Sequence, residues 1–201
     1  LNKTNIKSLL HTSGKFNFSE IKKISSLLNL NVSSFKEING IGKLKTNINF
    51  DLDKKFRIKN LSTTLNGNVS YFEIHTKESR LIKNYLPEYN TKIILKNTNI
   101  KLVNSNSNQT LELKGFVKMN DKFSSFEVNE KQDLNKKKFD INGNIDLTNS
   151  KVKVSWLNYI KDRGIKSALN FDVNFILNKN YNIKNLKFST DKSKIYLSEI
   201  K

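Results

Sequence analysis

"KLKTNINFDL", residues 43–52, decides the fold class. Leu44, Thr46, Ile48, Phe50 and Leu52 fall on one side of an extended chain, with Lys43, Lys45, Asn47, Asn49 and Asp51 on the other. Side chains alternate across a strand, so this spacing describes a half-buried ribbon with one apolar and one wet edge of side chains. The pattern recurs in "FDINGNIDL" (139–147), where Phe139, Ile141, Ile145 and Leu147 oppose Asp140, Asn142, Asn144 and Asp146. It recurs in "NFDVNFIL" (170–177), where Phe171, Val173, Phe175 and Leu177 align, and more briefly at Val152, Val154 and Trp156 and at Leu111, Leu113, Val117 and Met119. Strands of a parallel sheet are covered on both sides and read as continuous apolar runs, so clean alternation predicts an antiparallel sheet with one face in water.

Short polar segments separate these runs: "DKK" at 53–55, "NSNSNQ" at 104–109, "NDK" at 120–122, the stretch 129–138 and "NKN" at 178–180. Each is short enough to join neighbouring strands, which predicts a meander of hairpins. Three stretches change to helical spacing. "SEIKKISSLLN" offers Ser19 as N-cap with Ile21, Ile24, Leu27 and Leu28 on one side. "KESRLIKNYLPEY" carries Leu81, Ile82, Tyr85 and Leu86 and ends at Pro87, the only proline, while "SWLNYIKDRG" stops at Gly164. All three are too short to stand alone. The expected architecture is mainly β: an extended, twisted antiparallel sheet, trough-like and built from repeated units, with two or three short helices.

The repeat is suggested by "FRIKNL" at 56–61 and "YNIKNL" at 181–186. Each follows a glycine-led alternating strand and a polar turn, and each continues to a Tyr and then Glu-Ile. Repeat units of about 19–76 and 139–201 follow, each burying its apolar face on its neighbours. The chain opens on Leu1 and closes inside "KIYLSEIK", and reads as a segment, 1–201, of a longer protein.

Composition narrows the function. Only 36% of residues are apolar, so the core is thin, yet 13 Phe and 6 Tyr are too many for a disordered chain. The formal charge of +18 would attract any polyanion. The lysines are spread singly, however, and the aromatics share their face with Ile, Leu and Val, which favours a solvated exterior over a nucleic-acid partner. There is no cysteine, and the longest apolar runs last three or four residues where a membrane span needs about 20. His11 and His75 have no neighbouring carboxylate at ligand spacing, which argues against a metal or a His-based dyad. Asp51 and Asp53 read as an acidic turn, and "NGIGKL" as a helix C-cap and strand entry rather than a phosphate loop. No catalytic residue, metal ligand or cofactor is expected.

Residues 143–177, "GNIDLTNSKVKVSWLNYIKDRGIKSALNFDVNFIL", carry Asp146-Leu147-Thr148 closing a strand, Trp156 at an aromatic bend, Lys161 shortly before Gly164, and Ala168 opening a long alternating strand. This pattern resembles the AsmA-like superfamily, in particular the central region of its YhdP-type members. A proline common beside the lysine is missing, and one glycine stands where two are usual. The Gly40–Leu61 stretch and "YLPEY" at 85–89 echo it more weakly. The resemblance implies a β trough anchored to the inner membrane of a Gram-negative bacterium, reaching across the periplasm to carry phospholipid to the outer membrane. The implied partners are phospholipid acyl chains and, through the rest of the chain, the two membranes. On this reading Leu44, Ile48, Phe50, Phe139, Ile141, Ile145, Leu147, Phe171, Val173 and Phe175 line the lipid groove. The alternatives are a closed β-sandwich serving as an adhesin or scaffold and, behind it, a basic nucleic-acid binder.

Overall fold

The computed structural model describes residues 4–17, 19, 22, 35–176 and 181–200. Its strands are β1 (Thr4–Asn17), β2 (Phe35–Leu52), β3 (Ile58–Thr76), β4 (Lys92–Asn104), β5 (Asn108–Lys118), β6 (Phe123–Asp133), β7 (Lys138–Asp146), β8 (Val152–Val154), β9 (Tyr159–Lys161), β10 (Ser167–Ile176), β11 (Tyr181–Thr190) and β12 (Lys194–Ile200). A short helix, α1 (Arg80–Tyr85), lies between β3 and β4, and a 3₁₀ turn covers Ser155–Leu157. Ten strands form one sheet in the order β1-β2-β3-β4-β5-β6-β7-β10-β11-β12, and β8 and β9 form a separate hairpin. Every neighbouring pair is antiparallel. The alternating sequence has thus become a meander, interrupted once.

Register assembles the apolar positions into rows that cross the sheet. Leu44 faces Gly67, and the row continues through Ile100, Leu113, Val128, Gly143 and Phe171 to Leu186. The next runs Thr46, Leu65, Leu102, Leu111, Glu130, Ile141, Val173. The opposite face is built from cross-strand polar partners. Asn68 donates to Asn99, Asn129 to Asn142 and Asn144 to Asn170, and Lys101–Glu112 and Lys114–Glu127 pair at 2.9 Å. Such pairs sit directly opposite one another, where a sheet gains a few tenths to about 1 kcal/mol each. The abundance of Asn and Lys therefore has a structural use.

Two glycines expected to cap a helix lie instead in the middle of β2. The rings of Phe16 on β1 and Phe72 on β3 pack over Gly40, where a Cβ would collide with both. Gly67 lies under Leu44 in the same way. With bulges at Ser70, at Asn97 and at Lys184, these bare positions on one face let the sheet twist and bend. Both Ile-Lys-Asn-Leu copies hold a register shift, the first at Asn60 and the second at Lys184.

Other expectations need correction. "SWLNYIKDRG" is not a helix: it forms the 3₁₀ turn, β9 and a bend, because Val152, Val154 and Tyr159 find an apolar floor and pair as a hairpin. The stretch 129–138 is mostly strand, and its turn is confined to 134–137. The expected helix at 19–29 and the turn at 178–180 lie largely or wholly outside the described residues. α1 does start at a Ser79 cap, which accepts from the Ile82 amide, and ends before Pro87. Among the described residues there is one large sheet, not the two that a closed sandwich requires.

Candidate functional site

Nine of the ten residues assigned to the groove share one face of the sheet, in two groups: Leu44, Ile48 and Phe50 on β2, and Phe139, Ile141, Ile145, Phe171, Val173 and Phe175 on β7 and β10, with β3–β6 between them. Phe139 and Phe175 stack with centroids 4.7 Å apart and planes within 7°, and Ile48 lies on their row. Ile141 pairs with Val173, Gly143 with Phe171, and Ile145 with Leu169. Leu44, Ile48, Phe50, Phe139, Ile141, Ile145, Phe171, Val173 and Phe175 are all half-buried. Burial of this face comes from neighbouring side chains: the Leu65–Leu102 cluster is completed by Leu44, Ile100 and Leu111 from adjoining strands.

Leu147 is the exception. It is 3% exposed, packed with Val152 and Phe188 and closed over by Leu86, Val154, Tyr159 and Ile195. The β8–β9 hairpin and the residues after α1 thus cap one end of the apolar face. They hold Leu147 in a core and not in an open groove.

Lys161 fastens that cap. It is 1% exposed and donates from Nζ to the carbonyl oxygens of Leu147 (2.5 Å) and Thr148 (3.3 Å) and to Ser167 Oγ (3.1 Å). Burial lowers its pKa, opposed by the charges of Asp146, Asp162 and Glu88. Asp146 accepts from the Thr148 amide, and Gly164, at φ +85°, donates its amide to Thr148 O. Arg163 adds an outer clamp, holding Glu88 at 2.6 Å and both carboxylate oxygens of Asp121 at 2.7 Å. Trp156 stands clear at the hairpin tip, 60% exposed. Lys161 and Gly164 thus close the backbone acceptors of Leu147 and Thr148, and Arg163 ties Glu88 and Asp121 together outside them.

On the wet face, His75 does have carboxylate neighbours, contrary to expectation. Glu73 lies two residues away on the same side of β3, with its Oε1 2.7 Å from His75 Nε2, and Glu37 of β2 is 3.9 Å away. Tyr71 donates to Glu73, and Lys92 pairs with it at 2.9 Å. The Tyr71 and His75 bonds, with Lys92, hold the Glu73 carboxyl at about 2, well below its ordinary 4.5. A lowered carboxylate pKa stabilises the fold above the ordinary value, and that contribution disappears as pH falls toward the folded value. Glu73→Gln should therefore lose stability relative to the parent at pH 7, and the gap should close between about pH 4.5 and 2 in urea titrations. A gap that stays constant across that window would show that the carboxylate's charge is not the cause. No group of three or more His, Cys, Asp or Glu suited to a metal occurs among the described residues.

No family model, curated protein or solved structure matches this chain.

Two polar features of the apolar face were not anticipated. The row through Ile48 continues as Thr63, Asn104, Gln109 and Gln132, so β3–β6 carry a polar rim beside their apolar positions. One row further in stands Glu130, between Leu111 and Ile141. Burial raises its pKa, and no charged neighbour contributes to the shift. Reading 129–138 as a turn hid it. The usable signal was parity, since Phe126, Val128, Glu130 and Gln132 share one side of a strand.

Proposed function

We propose that the protein is a non-enzymatic segment of a larger periplasmic, inner-membrane-tethered protein that moves phospholipid toward the outer membrane, its apolar face forming a trough for acyl chains. One observation carries this reading: among the described residues of β2–β10, apolar rows cross one face of the sheet, interrupted by the Thr63–Asn104–Gln109–Gln132 row and Glu130, and a second layer covers them where β8–β9 cap one end. Acyl chains need no specific polar partner and gain about 0.8 kcal/mol per buried methylene, so about ten methylenes supply about 8 kcal/mol. The resemblance of residues 143–177 to YhdP-type proteins supplies the envelope setting.

Native mass spectrometry of protein purified from membranes tests the reading directly. Bound phospholipid is expected, and Leu113→Lys, which plants a charge at the centre of the field, should reduce its occupancy at least tenfold. Protein that carries no lipid and binds no added amphiphile would overturn the proposal.

A further inference from the structure

Glu130 is the one ionisable side chain on the apolar face between β2 and β10 among the described residues. From β5 it is faced by Gln109, Leu111 and Leu113, and from β7 by Phe139, Ile141 and Gly143, none of which titrates. Among the described residues no hydrogen bond or ion pair holds it. A half-buried carboxylate among apolar groups opposes folding, and an apolar residue of similar size would serve the sheet better. Its placement makes chemical sense if something absent from the chain pairs with it.

The surroundings say what kind of group that is. Along β6 the face grades from Gln132 through Glu130 to Val128 and Phe126. A polar end, an anion and an apolar run follow one another in line. From Glu130 to Phe126 the strand advances about 13 Å at roughly 3.3 Å per residue, enough to receive the first part of an alkyl chain. Gln132, half-buried at the next position on this side of β6, offers amide donors and an acceptor beside the carboxylate. We infer that Glu130 is the headgroup contact of an ammonium-bearing amphiphile, pairing with the amine while Gln132 binds the adjoining polar atoms and the tail runs toward Phe126. The inference rests on the acyl-chain reading and specifies the headgroup that reading leaves open.

Calorimetric titration of the purified protein at pH 7 with dodecylammonium, dodecanol and dodecanoate, each below its micellar concentration, tests it. The parent protein should bind dodecylammonium at least tenfold more tightly than dodecanol, despite a net charge of +18 that repels cations. Glu130→Gln should abolish that preference and leave dodecanol binding unchanged. Equal binding of dodecylammonium and dodecanol, tighter dodecanoate binding, or a preference that survives Glu130→Gln would overturn the headgroup assignment and leave the acyl-chain reading standing. Failure of all three to bind would overturn both.

Discussion

Lys161→Met is expected to lower the unfolding free energy by about 3 kcal/mol, measured by urea denaturation at pH 7. The methionine keeps most of the unbranched stem and removes the ammonium, so the change isolates the polar contacts. Those contacts are unusual: Nζ reaches two main-chain carbonyls and the hydroxyl of Ser167, itself 5% exposed. Leaving a buried acceptor without a partner costs about 1–3 kcal/mol, and hydrogen bonds from charged donors lie at the upper end of the range. Burial already works against the lysine's charge, which limits the net effect. In a chain of this size about 3 kcal/mol corresponds to a melting temperature lower by roughly 6–12 °C. A loss below about 1 kcal/mol would show that the hairpin cap is held by its apolar contacts alone.

Gly67→Ala should be comparably severe, at about 3 kcal/mol, whereas Gly40→Ala should cost clearly less. An added Cβ at Gly67 would meet the carbonyl oxygen of Lys43, with Leu44 Cδ2 at 2.6 Å and Leu44 Cα at 2.9 Å. Two of those atoms are backbone of the paired strand and move only if the ladder opens, which is the costly end of overpacking. At Gly40 the obstruction is the rings of Phe16 and Phe72, which can swing aside. Equal losses at the two sites, by thermal or urea unfolding, would refute the distinction between rigid and yielding neighbours.

Period-two spacing in β2, β7 and β10 made the antiparallel sheet readable from the sequence, and with it the shared face of nine of the ten residues assigned to the groove, because alternation maps directly onto the two faces of a strand. Leu147 was misplaced because its parity continues that of β7, while the chain leaves the sheet after Asp146 and folds the hairpin back over it. That reversal depends on contacts between residues far apart in sequence, which no local pattern announces. Gly40 and Gly42 were misread for a related reason: glycine is a punctuation mark locally, and only the rings on neighbouring strands reveal that it clears space. Glu130 and Gln132 break the apolar alternation of β6 and so resemble loop residues in the sequence. Their departure from the pattern is what makes them informative once the register is known.

Because each strand of the meander lies beside its predecessor, the chain is laid down almost like successive rows of knitting. Among the described residues the outermost rows, β1 and β12, are each laced to a neighbour on one side, so in the isolated 201-residue chain loss of structure should fray inward from the two margins toward β5 and β6. Among the described residues the cap joins this order near the β12 margin, through Phe188 and Ile195, so the margin formed by β1 is the easier to unravel.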